Sequence, residues 1–375
     1  METLWAGSGG VEQYLLDMLP ELARRDGVQR VTVVTRPDRA PQFRRLGDRI
    51  EVLVEEAGDS YGARYLARRR LGAALRRLQP DVLFRPYAGY GRARTEASVP
   101  DVNLVLNALA FEPAERARYP LLSPRRLRFG LLAVMARAGV ESARYVLFPS
   151  QYMRDVVCAL VPGLDARSGV CYFGVPSAFE DVAREEALPP GLQPRAFVYY
   201  PAGLDWFRHQ ARVVESWHRL LRRGEPVLPL ILGGTRDPSY ARLVGRTIRR
   251  LGMEGHVRDL GFVPAEQHRA LYRYARFIVM ASTCESPSFV PLETMASEQA
   301  LACARRASLP EYAGDAAVYF DPLAGDDMDQ TFGRCLRDDA LLADLRARAR
   351  ERRRLFTWSR HVDDLLHALQ EARGA

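Results

Sequence analysis

The sequence predicts an α/β protein of two domains, each built on a mostly parallel sheet, and three observations carry that expectation. Short apolar runs, largely β-branched or aromatic, recur at 31–35, 50–54, 81–84, 102–106 and 145–148, with helical stretches between several of them. That alternation implies parallel strands with helices on both faces of the sheet. A second set at 197–200, 227–232, 257–261 and 277–281 repeats the pattern. Between the two sets a polar, proline-containing stretch at 177–194 reads as a linker, and 375 residues suffice for two cores.

In chain order, Gly7, Ser8, Gly9 and Gly10 precede a helical pattern with Val11, Tyr14, Leu15, Met18, Leu19 and Leu22 on one face. A glycine-rich turn feeding a helix lets backbone approach a ligand and turns N–H groups toward a phosphate. A dinucleotide fingerprint would need a third glycine where Glu12 stands, which weakens a dehydrogenase reading. The apolar stretch ahead of this turn is short for a strand, as a truncated or misplaced start would make it. Asn107, Phe111 and Glu112 lie just beyond the strand at 102–106, where open α/β sheets bind ligands. The stretch 123–137 interleaves Arg125, Arg126, Arg128 and Arg137 with Leu127, Phe129, Leu131, Leu132, Val134 and Met135. The favoured reading is a core helix with one arginine-rich solvated face; the alternative is an interfacial helix that meets anionic headgroups.

The most informative stretch follows the run at 277–281. Pro291 suits a first helical turn, where no backbone N–H is needed, and the N–H groups around Ser288, Phe289 and Val290 would face whatever fills the loop. Such a site favours an anion. Glu293, expected in that first turn, could accept hydrogen bonds from a vicinal diol such as a ribose, and Glu285 would face the cleft. The same spacing fits a Glu293 that only caps the helix and a solvated Glu285. The residues alone leave both readings open.

Composition narrows the chemistry. The chain contains no lysine, so its 54 basic residues are arginines, against 46 acidic ones, for a net charge of +8. A Walker A loop and a pyridoxal Schiff base therefore fall, and any phosphate clamp must use arginine. Five scattered cysteines without a CxxC pair suggest neither a disulfide framework nor a zinc site. Asp327-Met328-Asp329 formally matches a DxD metal motif, but its acidic loop reads as surface. No recognisable nucleic-acid module appears. The absence of a long apolar run or a leader-like start points to the cytoplasm.

Several motifs together resemble the retaining glycosyltransferases of family 4. They are Glu285-x7-Glu293 with Phe289, Pro291 and Thr294-Met295-Ala296; Ser308-Leu309-Pro310-Glu311; and the segment from Gly314-Asp315-Ala316-Ala317 to Phe320-Asp321-Pro322. Ser150, Tyr152 and Arg154, Tyr200-Pro201-Ala202 and Glu215-Ser216-Trp217 extend the likeness over nearly the whole chain. The resemblance implies a GT-B fold, two Rossmann-like domains facing a central cleft. Its parts would be an acceptor domain at 1–176, the linker at 177–194, a donor domain at 195–355 and a terminal helix at 356–375 returning to the first domain.

By the same resemblance Arg208 takes the place of a phosphate-binding lysine and His209 that of an asparagine. Gly9 and Gly10 lie opposite the donor diphosphate, Gly203 sits in the donor loop, and Gly261, Phe262 and Val263 meet the nucleotide base through backbone groups. Glu293 holds the ribose, Glu285 binds or polarises the transferred sugar, and Arg208 with the helix start at Ser288, Phe289 and Val290 meets the diphosphate without a metal. Asn107, Phe111 and Glu112 form the acceptor side. Two departures stand out. All six histidines lie at His209 or later, so the N-terminal half lacks the histidine many members place near Asn107. Ser297, Glu298, Gln299 and Ala300 follow Ala296 where the family usually has a turn with Gly and Pro, which puts that turn and the activity in question.

The expected function is transfer of a sugar from a UDP- or GDP-linked donor to a hydroxyl of a glycan or lipid-linked acceptor, with no cofactor and no nucleic acid. It belongs with polysaccharide or glycolipid synthesis, with peripheral contact with the inner membrane surface as a further expectation. The alternatives are a degenerate GT-B scaffold, a sugar-nucleotide epimerase and, remotely, an NAD-dependent dehydrogenase.

Overall fold

The computed structural model describes residues 1–3, 10–55, 71–86, 99–179 and 186–374. The chain divides into two units. The first comprises Met1–Arg116, Pro120–Gly174 and Thr357–Ala375, and the second Ala117–Tyr119 and Val175–Phe356.

In the first unit, β1 (Val31–Thr35) pairs with β2 (Ile50–Val54), and β3 (Leu83–Arg85), β4 (Asp101–Leu104), β5 (Tyr145–Phe148) and β6 (Ser168–Val170) form a sheet in that order. Every pairing is parallel. Residues 1–3 join the two sheets: Thr3 N–H donates to the Val34 carbonyl at 2.9 Å and Glu2 N–H to the Phe84 carbonyl at 3.0 Å. The terminal helix Trp358–Gly374 packs in this unit, touching β4, β5, β6 and the helix Gly10–Ala23. It brings His361 into the core of a unit whose own strands carry no histidine. In the Nδ1–H tautomer the ring donates to the Tyr172 carbonyl at 2.9 Å and accepts from the Tyr14 hydroxyl at 3.0 Å. Burial lowers its pKa to about 4, so it stays neutral.

In the second unit the order is β12-β11-β10-β7-β8-β9, again all parallel. The strands are β7 (Val198–Tyr200), β8 (Leu230–Gly233), β9 (Val257–Gly261), β10 (Ile278–Met280), β11 (Leu301–Ala304) and β12 (Ala317–Phe320). β7 and β10 are buried along their whole length, as strands covered on both faces must be. The order runs outward from β7 to β8 and β9 on one side and from β10 to β12 on the other. The carboxyl ends of β7 and β10 therefore flank a topological switch point, where open α/β sheets take their ligands.

Three sequence expectations need correcting here. Asp329 is not surface: it is 1% exposed on the helix Gly325–Arg337 and accepts from Ser216 Oγ at 2.5 Å and from Arg219 at 2.8 Å. It is the buried counter-charge that ties that helix to Gln210–Arg222. The helix Pro124–Ser142 buries Leu132, Ala136 and Val140, but Leu127, Leu131 and Val134 face solvent rather than a core. The turn after Ala296 survives the loss of glycine and proline. Glu298 adopts φ +50°, its N–H bonds to the Met295 carbonyl at 3.1 Å, and Gln299 N–H reaches the Thr294 carbonyl at 2.9 Å. This is a Schellman ending with glutamate in the left-handed position that glycine ordinarily takes. Arg350 holds the Glu298 carboxylate at 2.6 Å, and Gln299 Oε1 accepts from Arg195 and Arg346.

Candidate functional site

Two loops at the switch point carry the expected donor-side charges. After β7 the chain turns through Gly203, whose backbone lies so close to the next loop that a Cβ there would sit 2.6 Å from the Thr235 carbonyl oxygen. Gly234, at φ +130°, makes the matching approach from the loop after β8. Leu204 N–H donates to Thr235 at 2.8 Å, and Gln210 Nε2 donates to the Gly203 carbonyl at 2.9 Å. A short 3₁₀ turn, Trp206–Arg208, then delivers Arg208. His209 follows in a left-handed conformation, φ 54°, and starts the helix Gln210–Arg222. Histidine tolerates that region better than most residues, and its Nε2 lies 3.0 Å from Thr283 Oγ1 on the loop after β10. Burial lowers its pKa to about 3.

On that second loop lies Glu285, buried to 8% exposure. Arg208 Nε donates to Glu285 Oε1 at 3.2 Å and Arg208 Nη1 to the Gly203 carbonyl at 3.3 Å. Its Nη2 makes no hydrogen bond among the described residues, and a quarter of the side chain is exposed. Burial opposes the charge on Arg208, but the carboxylates of Glu285 and Asp205 outweigh it and hold the guanidinium pKa above its ordinary value. Burial pushes the Glu285 carboxyl up, against the pull of Arg208 and Ser282. Ser308 Oγ pins the Glu285 carbonyl at 3.1 Å.

Glu293 is displaced from its expected place. The helix begins at Phe289, so Pro291 does lie in its first turn but Glu293 falls in the second, beyond reach of the capping positions. Its Oε2 instead accepts from the Tyr272 hydroxyl at 2.6 Å and lies 3.6 Å from His268 Nε2. His268 Nδ1 in turn meets the Tyr199 hydroxyl at 2.8 Å. Tyr272 and Tyr199 are fully buried, and burial with the nearby Glu293 charge raises both phenol pKa values, so each stays protonated as a donor. Sequence reasoning missed His268 and Tyr272. Their signal was an i, i+4 pair on the helix Ala265–Tyr274, which ordinary core periodicity conceals.

The remaining residues expected to meet the donor or acceptor separate by what they can present. Gly261 has φ +66° and closes on Arg236, which pairs with Asp259 at 3.0 Å. Phe262 is 77% exposed. Val263 and Val290 pack in the core, leaving only backbone to a ligand. Ser288 precedes the helix without a side-chain cap. In the first unit Gly10 opens the helix Gly10–Ala23, and Gly9 lies outside the described residues. Asn107 is half-buried ahead of a 3₁₀ turn, whereas Phe111 is buried and packs inward. Glu112 accepts from the Tyr152 hydroxyl at 2.7 Å; burial raises its carboxyl pKa, partly offset by that bond. Among the described residues no cluster of His, Cys, Asp or Glu could hold a metal ion, and no helix is long and apolar enough to cross a membrane.

A parallel α/β unit with an arginine–glutamate pair at its switch point has a guanidinium where open α/β sheets take their ligands. Comparison with known proteins agrees. Residues 8–178 match the family described as Glycosyltransferase Family 4, and residues 189–352 match Glycosyl transferases group 1. The chain belongs to these group 1 glycosyltransferases and has the GT-B fold. It is 24% identical over 314 residues to O-antigen chain mannosyltransferase B of Escherichia coli, covering 81% of this chain and 78% of that one. Among solved structures it is similar to HepE from Anabaena in complex with UDP-glucose, with TM-score 0.71, 16% identity and 98% of both chains covered. It is also similar to WaaG, a glycosyltransferase involved in lipopolysaccharide biosynthesis, with TM-score 0.64, 15% identity and 97% and 95% of the two chains covered.

Proposed function

We propose that this glycosyltransferase moves a sugar from a nucleotide-diphosphate donor to a hydroxyl of a glycan or lipid-linked acceptor, with retention at the anomeric carbon. The observation that carries the reading is the meeting of Arg208 and Glu285 at the switch point of the second unit. The donor assignment draws on HepE, solved with UDP-glucose, and polysaccharide or glycolipid synthesis on the O-antigen and lipopolysaccharide enzymes. In this reading the second unit is the donor domain and the first the acceptor domain.

The bond from the anomeric carbon to the diphosphate breaks, and the electron pair leaves on the phosphate oxygen. Arg208, with its open Nη2, and the N–H groups at the start of Phe289–Ala296 meet that growing charge, a role that needs no divalent metal. The acceptor oxygen bonds to the same face of the carbon that the diphosphate leaves, and its proton goes to the departing phosphate. Glu285 orients the transferred sugar, and Glu293, held by Tyr272, takes the ribose diol. Peripheral contact with a membrane surface completes the reading.

The test is a panel of UDP- and GDP-linked sugars assayed by nucleotide release, in buffer containing a chelator, with the product anomer read by proton NMR. Release with an inverted anomer would overturn retention. A nucleotide-linked epimer would mean an epimerase, and no turnover with any donor would favour a scaffold.

A further inference from the structure

We propose that the outer face of the helix Pro238–Arg250, at the edge of the second sheet, is a binding site for a diphosphate group. A cavity of about 450 Å³ lies there, lined by Arg236, Ala241, Arg242, Gly245, Arg246, Arg249 and Asp259. At about 100° per residue, Arg242, Arg246 and Arg249 fall within an arc of about 60° and form one wall. Ala241 and Gly245, four residues apart, run beside them as a floor of small side chains. The opposite wall is Arg236, from the loop after β8, held to Asp259 of β9 at 3.0 Å. β9 ends the strand order, two strands out from β7 and the switch point.

Arginine is common throughout this chain, so its number alone selects nothing. What sets this face apart is that its guanidinium groups hold nothing. Among the described arginines of the second unit, only these three and Arg222 lack a carboxylate, carbonyl, amide or ring partner. Arg250, the next residue on the helix, already pairs with Glu215 at 3.4 Å. Asp259 does not neutralise the row, because its Oδ1 takes Arg236 and also the Gly261 N–H at 2.9 Å. Like charges three and four residues apart on a helix oppose one another, and an anion placed between them removes that cost. The small floor lets such an anion settle among the guanidinium groups, whose N–H forks give phosphate oxygens paired, charge-assisted bonds. One phosphate carries about two negative charges, fewer than the three free cations, and two linked phosphates match them. The row spans roughly 10 Å along the helix, the reach of a small ligand. The group could be a free diphosphate or the headgroup of a lipid-linked one.

The site stands apart from the transferase reading, and its test needs no turnover. The full chain is titrated calorimetrically with inorganic pyrophosphate, and circular dichroism checks the fold of every variant. The combined Arg242→Gln, Arg246→Gln and Arg249→Gln variant should bind pyrophosphate about tenfold or more weakly than wild type. Arg250→Gln on the same helix and Arg208→Ala on the donor loop should each keep a site of wild-type affinity. Gly245→Leu changes no charge. A Cβ there meets only Arg249 Nη1, at 3.7 Å, and leucine favours a helix, so the side chain fills the floor while the helix stands. It too should weaken pyrophosphate by about tenfold or more. Geranyl diphosphate separates the two sources: binding at least as tight as that of pyrophosphate assigns the lipid-linked headgroup, and weaker binding assigns the free diphosphate. Pyrophosphate binding that is absent from wild type, or that survives the three glutamines, overturns the proposal. So does a Gly245→Leu variant that binds like wild type, which would mean attraction to surface charge alone, or loss of all binding in Arg208→Ala, which would place the pyrophosphate in the donor loop. A single-stranded oligonucleotide held by the same arginines at least about tenfold more tightly than pyrophosphate would also overturn it and make the groove a nucleic-acid surface.

Discussion

Replacing Arg208 with alanine removes two things at once. The first is the charge that meets the departing diphosphate, and its loss should lower kcat by about 10²- to 10³-fold, roughly 3–4 kcal/mol of transition-state stabilisation. The second is the partner of Glu285, 3.2 Å away at 8% exposure. Two unit charges about 4 Å apart attract by ~4 kcal/mol at an effective dielectric near 20. Because a quarter of the Arg208 side chain meets solvent, about half of that is the expected coupling. Unpaired, the Glu285 carboxyl, already pushed up by burial, moves further up and takes a proton closer to neutral pH. Arg208→Lys keeps the charge but not the fork and should fall between wild type and alanine. The assay is kcat and donor KM with the preferred donor, beside the melting temperature without nucleotide. Turnover of Arg208→Ala at the wild-type rate would refute the assignment of the clamp, and an unchanged melting temperature would refute the ion pair's structural weight.

Glu293 should behave differently, because a ribose is bound alike in the ground and transition states. Glu293→Gln should raise donor KM more than it lowers kcat, and Tyr272→Phe, which removes one hydrogen bond to that carboxylate, should raise KM by about three- to tenfold with kcat nearly unchanged. Nucleotide titration checks both; a fall in kcat alone would count against the ribose role. Acid should unfold the protein by way of its buried histidines. The pKa of His361 drops from an ordinary 6.5 to about 4 on folding, so the unfolded chain binds more protons between those values. That contribution is whole above pH 6.5 and lost as pH falls toward 4, roughly 3 kcal/mol, with His209 adding in the same direction. Melting temperatures from pH 7.5 to 4.5 should decline accordingly, and a flat profile would mean the rings are charged when folded. Glu298→Gly should leave the melting temperature level or higher by relieving left-handed strain of about 1 kcal/mol, whereas Glu298→Val should lower it.

Burial on both faces writes itself as apolar runs, so the runs read at 197–200 and 277–281 contain β7 and β10. Glu285 was readable because it follows such a run at a strand's carboxyl end, and Arg208 only through the resemblance to family members. What escaped is contact between distant segments. Asp329 looks like a loop acid until Arg219, over a hundred residues away, is folded against it. The resemblance returned the terminal helix to the first domain, but not the contacts of His361 with Tyr14 and the Tyr172 carbonyl in the core of that unit. Glu293 looked like a first-turn residue because Pro291 fits that turn, and only the observed start at Phe289 moves it to the tyrosine's side. The exposed Leu127, Leu131 and Val134 were read as core because composition cannot say which side of a helix is covered.

The central claim is that the second unit holds a nucleotide sugar between Arg208 and Glu293. Calorimetric titration of wild type, Arg208→Ala and Glu293→Gln with UDP and GDP, and with the sugar-linked form of whichever binds, tests it most directly. Wild type should bind one of the two nucleotides, and each substitution should weaken that binding by about tenfold or more while the fold persists. Wild type that binds neither nucleotide, or variants that bind as tightly as wild type, would contradict the account.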